Sequence, residues 1–129
     1  MRKGFTLIEL IIVIIIVGIL ATIGMTQYTK VIEKGRAAEA KQVLGSLRTG
    51  QNAYYLENGA YTATISDTGV DAPPDCSQTT HYFSYACNAS TGACTATRCG
   101  TGTGKTPGSA TSYNKILSID GTFTGSTGY

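Results

Sequence analysis

Few side chains in this sequence could do chemistry, and the first is a lone carboxylate. Glu9 stands inside "KGFTLIELIIVIII", a run otherwise as apolar as a membrane span. A carboxylate in hydrocarbon is costly, so Glu9 must be neutralised or used. The second set is Cys76, Cys87, Cys94 and Cys99, all in the C-terminal half. Their spacing holds no C-x-x-C pair, which argues against zinc. An even number of cysteines in a Thr/Gly/Ser-rich exported region reads as two disulfides.

The remaining candidates are weaker. "CGTGTGKT" ends in Gly104-Lys105-Thr106 like a phosphate-binding loop, but Cys99 stands where that pattern needs its first glycine. "PGSATS" follows where a helix should. The stretch reads as a surface loop rather than a nucleotide site. Asp67, Asp71 and Asp75 are spaced four apart through prolines and lack the dense oxygen pattern of a calcium loop. His81, the single histidine, sits beside aromatic strand residues with no partner for acid–base work. Asn88-Ala89-Ser90 matches a glycosylation acceptor, a triplet frequent by chance. No catalytic set emerges, and nothing calls for a cofactor or a metal.

These residues need elements to hold them. From Leu10 to Thr29 nothing is charged, and about 20 apolar residues cross a bilayer as a helix. A secretory signal has a shorter apolar region and a small-x-small cleavage site, so the span stays in the mature protein. Arg2 and Lys3 precede it and place the N-terminus on the cytoplasmic side. Helical spacing then continues. Tyr28, Val31, Ile32, Ala40, Val43, Leu44, Leu47 and Tyr54 form an apolar stripe, with Lys30, Glu33, Lys34, Arg36, Glu39, Lys41 and Arg48 on the wet side. Glu57-Asn58-Gly59 is a stop signal. One helix from Phe5 to about Asn58 would be roughly 80 Å long, so its first half must project. Gly18, Gly24, Gly35, Gly45 and Gly50 each weaken a helix interior; in the span, Gly18 and Gly24 are packing notches or places to unwind.

After Gly59 the texture turns to short strands. "HYFSYAC" and "ACTATRC" flank the turn "NASTG", and "SYNKILSIDGTFTG" has strand-like arms about a two-residue turn at Asp120-Gly121. The fold class is α+β: a long projecting N-terminal helix, with a small antiparallel sheet as a head packed on its second half. The formal charge of +2 on 129 residues is close to neutral and argues against nucleic acid as the main partner.

"KGFTLIEL" before an apolar span resembles the N-terminus of type IV prepilins and of the related type II secretion pseudopilins. The resemblance divides the chain into a leader (1–4), a transmembrane and filament-core helix (5–28), an amphipathic second half (29–58) and a disulfide-bearing sheet (59–129). It implies cleavage between Gly4 and Phe5 by a prepilin peptidase and N-methylation of Phe5. It implies an inner-membrane precursor that the pilus assembly machinery draws into a homopolymeric helical filament on the cell surface. There Glu9 would pair with the Phe5 amine of a neighbouring copy. The family commonly has a proline one turn before the Gln-Tyr that matches Gln27-Tyr28, and Thr26 stands there instead. Only Gly18 and Gly24 then remain to permit a kink. The reading implied is a major pilin serving adhesion, twitching motility or DNA uptake. The rival is a secretion pseudopilin; a more distant one is a membrane-anchored nucleotide-binding protein.

Four cysteines allow three pairings. A four-residue loop between Asn88 and Ala93 would set Cys87 opposite Cys94, which a cross-strand bridge requires. Cys76 and Cys99 would then flank the outer strand ends, so the expected bridges are nested.

Overall fold

The structure, a computed structural model, describes residues 4–109 and 111–126; Arg2, Lys3 and most of the expected leader lie outside them. Its elements are one helix, α1 (Leu7–Asn58), a short 3-10 turn (Ile65–Thr68), and four strands. The strands are β1 (Phe83–Cys87), β2 (Cys94–Arg98), β3 (Asn114–Leu117) and β4 (Phe123–Gly125). The chain divides into two compact units, Met1–Gly35 and Arg36–Tyr129.

In the first unit the helix carries no charge on any side from Leu10 to Thr29, and the large apolar side chains are exposed from Phe5 to Val31. A helix greasy all round needs an apolar environment, a membrane or a bundle of like helices. It is long and apolar enough to cross a membrane, with mean hydropathy 2.9 in its most apolar window. Tyr28 and Val31 belong to this exposed stretch, at 62% and 66% exposure, and not to the packed stripe expected from their spacing. The helix runs through Gly18, Gly24 and Thr26 without interruption. Thr22, Thr26 and Thr29 turn their hydroxyls back onto the carbonyls of Gly18, Ile23 and Thr26.

In the second unit the packed stripe of α1 is Ala37, Ala40, Leu44, Leu47 and Gln51, alternating three and four residues apart. Phe83 and Tyr85 of β1, Cys94 and Ala96 of β2, Tyr113 and Leu117 meet it to form one core. Side chains of β1 and β2 alternate buried and open, as the pleat requires. The sheet is an antiparallel meander in the order β1-β2-β3-β4. α1 ends where Gly59 takes a left-handed conformation (φ 70°) and its N–H donates to the Tyr55 carbonyl.

The β3–β4 connection differs from the two-residue turn expected. Ser118 N–H donates to the Thr122 carbonyl and Gly121 N–H to the Ser118 carbonyl, so Ile119, Asp120 and Gly121 form a three-residue loop. Gly121 occupies the positive-φ position that such a loop needs, and the Asp120 carboxylate accepts the Thr122 N–H. That bond holds the Asp120 carboxyl below its ordinary range, with the nearby Arg48 charge adding to it.

Two helix residues anchor the segment after α1. The buried Gln51 amide donates to the Thr62 carbonyl and accepts the Thr62 N–H, the two bonds a neighbouring strand would otherwise make. One residue earlier, Gly50 lies against the Thr68 backbone; a Cβ there would press on the Thr68 carbonyl and approach its Cβ to 2.7 Å. Gly50→Ala should therefore destabilise the head by about 2 kcal/mol, although alanine is the better helix former. A lowered thermal midpoint of the detergent-solubilised chain would check this; an unchanged or raised one would contradict the close approach.

Candidate functional site: the capped start of the helix

Gly4, Phe5 and Thr6 are not helical, and α1 begins at Leu7. What sets that start is Thr6 with Glu9. The Glu9 carboxylate accepts the Thr6 N–H at 2.9 Å and the Thr6 hydroxyl at 2.7 Å. The Thr6 hydroxyl in turn accepts the Glu9 N–H at 3.3 Å. This is a reciprocal capping box: it satisfies two of the N–H groups that every helix start leaves unpaired. The carboxylate also lies at the positive end of the helix dipole. Glu9 is thus occupied within its own chain. Thr6 is the functional residue that the sequence reading missed, although Thr-x-x-Glu is a recognisable signal.

Around this cap the chain is open. Phe5 exposes 87% of its surface, and beyond the adjoining chain nothing lies within 4 Å of where a Gly4 side chain would begin. The same is true of Gly18 and Gly24. Gly4-Phe5 therefore forms a non-helical, accessible link before a helix whose first turn is fixed.

The cysteines form two bridges, Cys87–Cys94 and Cys76–Cys99. Cys87 and Cys94 face each other across β1 and β2 with Cα atoms 4.1 Å apart. The pair beyond them, Asn88 and Ala93, is hydrogen-bonded, so the bridge occupies the closer, non-bonded pair position. Gly104 packs on Cys99, where a Cβ would come within 2.8 Å of the sulfur.

That packing disposes of the phosphate-loop resemblance. The N–H of Gly104 donates to the Cys76 carbonyl and that of Lys105 to the His81 carbonyl. A phosphate loop needs those amides turned toward its ligand. The Lys105 ammonium lies 5.1 Å from the centre of the Tyr82 ring. His81 contacts the Asp75 carbonyl and the Thr80 hydroxyl. Asp75 caps its own turn through Ser77, which lowers its carboxyl's affinity for protons, and Asp67 accepts the Thr62 hydroxyl. Among the described residues, no group of three acidic, histidine or cysteine side chains could hold a metal. Asn88 is exposed, but its side-chain oxygen is engaged by the N–H groups of Ser90 and Thr91. Burial, aided by the Glu39 charge, pushes the Tyr85 phenol up to about 12 and keeps it neutral.

Comparison with known proteins bears on both units. Residues 1–25 match the prokaryotic N-terminal methylation motif. Residues 37–113 match the family described as type IV pilin-like G and H. The type IV major pilin protein PilE1 of Neisseria gonorrhoeae is 38% identical over 74 residues, 57% of this chain and 45% of that protein. The fimbrial protein EcpC of Eikenella corrodens is 38% identical over 71 residues, 55% and 46% of the two chains. The type IV major pilin protein PilA of Myxococcus xanthus is 35% identical over 93 residues, 72% of this chain and 40% of that one. Each match covers less than half of the relative's length. With its methylation motif, its long apolar helix and a family match over residues 37–113, from the second half of α1 through β2, this chain belongs to the type IV pilin-like G and H family.

Proposed function

We propose that this chain is the structural subunit, a major pilin, of a type IV pilus. The observation that carries the reading is the first unit: an apolar helix exposed all round, opened by a capped Thr6–Glu9 turn directly after Gly4-Phe5. Such a surface is stable in two settings, the bilayer of a precursor and the core of a helical bundle. The subunit waits in the inner membrane and is then extracted into a surface filament.

Processing makes the step between them. A prepilin peptidase hydrolyses the Gly4–Phe5 amide, and the new Phe5 amine is methylated. The ammonium then stands one turn from Glu9. In the filament core both charges lie in low dielectric, where neither is tolerated unpaired. Glu9 of one copy and Phe5 of another satisfy each other, and that pairing fixes register. A secretion pseudopilin would share these steps; the relatives named as major pilins favour the pilus. Adhesion, twitching and DNA uptake are the activities such a filament serves.

Intact-mass spectrometry of sheared surface filaments tests the reading. The subunit should begin at Phe5, carry one N-methyl group and retain both disulfides. A bulky residue in place of Gly4 should leave the uncleaved chain in the membrane. Filament subunits that keep Met1 to Gly4 would refute the processing step, and filaments without this chain would refute the assignment.

A further inference from the structure

The two edges of the head sheet differ in charge and shape. The strand order puts β1 and β4 at opposite edges, three strand spacings or roughly 14 Å apart. Beside β1 lies a groove of about 470 Å³, walled by Ala63, Ile65, Val70, Ala72, Pro74 and Tyr85. Its one charged lining residue is Asp71, which also borders the polar groove that continues to Asp75. At the other edge β4 is exposed along its whole length. Phe123 shows 46% of its surface, with the Lys41 ammonium 5.8 Å from its ring centre. The Lys115 ammonium donates to the Ser126 carbonyl nearby. Ser118 and Thr122 form a hydrogen-bonded pair, so alternation turns the Phe123 backbone groups away from β3, toward the open edge. One edge therefore presents an aromatic side chain beside the Lys41 ammonium, and the other an apolar groove rimmed by a carboxylate.

We propose that the β4 edge of one copy docks on the β1 edge of the next, with Phe123 entering the groove and Lys41 meeting Asp71. The inference rests on the filament reading and names a contact between heads within it. Because the two patches differ, the contact is heterologous and builds an open helical array rather than a closed ring. Opposite charges at the rim would set register and disfavour wrong pairings.

The test uses intact filaments of the full chain. A photo-crosslinking residue at position 123, in filaments mixed from isotopically light and heavy copies, should join a peptide within residues 63–74 of another copy. Asp71→Lys and Lys41→Glu should each lower the yield of sheared filaments about tenfold, through a like-charge juxtaposition, and the double variant should recover most of it. Crosslinks confined to other segments, single variants that assemble normally, or a double variant that accumulates but does not recover would each overturn the docking. If the charge variants fail to accumulate, the crosslink alone decides. Wild-type filaments lacking this chain would sink the filament reading and the docking together; filaments that contain it but lack the crosslink would sink the docking alone.

Discussion

Glu9→Val should insert in the membrane and be cleaved, yet yield about tenfold fewer filaments or none, because under the proposed pairing the Phe5 ammonium would lose its partner in a low-dielectric core. The structure gives this expectation a control. Glu9 has a second role, accepting the Thr6 N–H and hydroxyl at the helix start. Valine removes both roles at once. Glutamine also serves in a capping box, so Glu9→Gln keeps the cap and removes the charge. Thr6→Ala does the reverse: it keeps the carboxylate and deletes the hydroxyl. If charge pairing governs assembly, filament number should fall in the order wild type, Thr6→Ala, Glu9→Gln, Glu9→Val. Glutamine filaments as abundant as wild type, with Thr6→Ala deficient, would assign the effect to the cap. Counting filaments by electron microscopy, with immunoblots for cleaved subunit, separates assembly from processing.

Much of the fold was legible because its signals are local. The span carries no charge from Leu10 to Thr29, and the helix stop lies in three adjacent residues, Glu57-Asn58-Gly59. The β1–β2 hairpin follows from a turn of four residues that leaves one register for its strands. The β3–β4 loop was misjudged by one residue because Asp-Gly serves two turn types. Sequence does not say whether the positive φ falls on both turn residues or on the glycine alone. Gln51 and Gly50 were not legible at all. One looks like a polar residue on a wet face, the other like a flaw in the helix. Their roles arise only when the chain after Gly59 folds back and sets Thr62 and Thr68 against them. The same applies to Tyr28 and Val31, whose spacing suits a stripe but which lie before Ala37, where the packed core begins.

The candidate site was legible in its parts and not in its connections. An isolated carboxylate in an apolar run is conspicuous by its cost, and Gly4-Phe5 by the motif it belongs to. Thr6 is harder to read, because Thr-x-x-Glu signals a cap only where it stands at a helix start, and an apolar run does not mark which residue that is. Once Leu7 is the first helical residue, Thr6 falls at the cap and Glu9 at the third position, and the bonds follow. The imperfect phosphate loop is the converse. Its glycines are real requirements, but Gly104 serves contact with a disulfide rather than with a ligand.

Removing the disulfides singly should rank them. The Cys76–Cys99 bridge spans 23 residues and the Cys87–Cys94 bridge 7. In the chain-entropy account the first restricts the unfolded chain by about 3.4 kcal/mol and the second by about 2.4 kcal/mol. Packing losses should be similar, since each bridge has one fully buried sulfur residue, Cys99 or Cys94. The outer bridge carries an added load: it holds the strand end at Cys99 against Cys76, to whose carbonyl the Gly104 N–H is bonded. Without it the loop from Gly100 to Ser109 loses its anchor, while the inner bridge closes a turn already fixed by its own hydrogen bonds. Cys76→Ala/Cys99→Ala should therefore lower the thermal midpoint more than Cys87→Ala/Cys94→Ala, and hydrogen exchange should rise over residues 99–109 in the first variant only. Against the roughly 5–15 kcal/mol that holds a domain folded, removal of both should leave the head mostly unfolded at growth temperature. An inner-bridge variant that is the less stable of the two, or a loop that stays protected once Cys76 and Cys99 are replaced, would show that the turn and not the longer clasp secures the head.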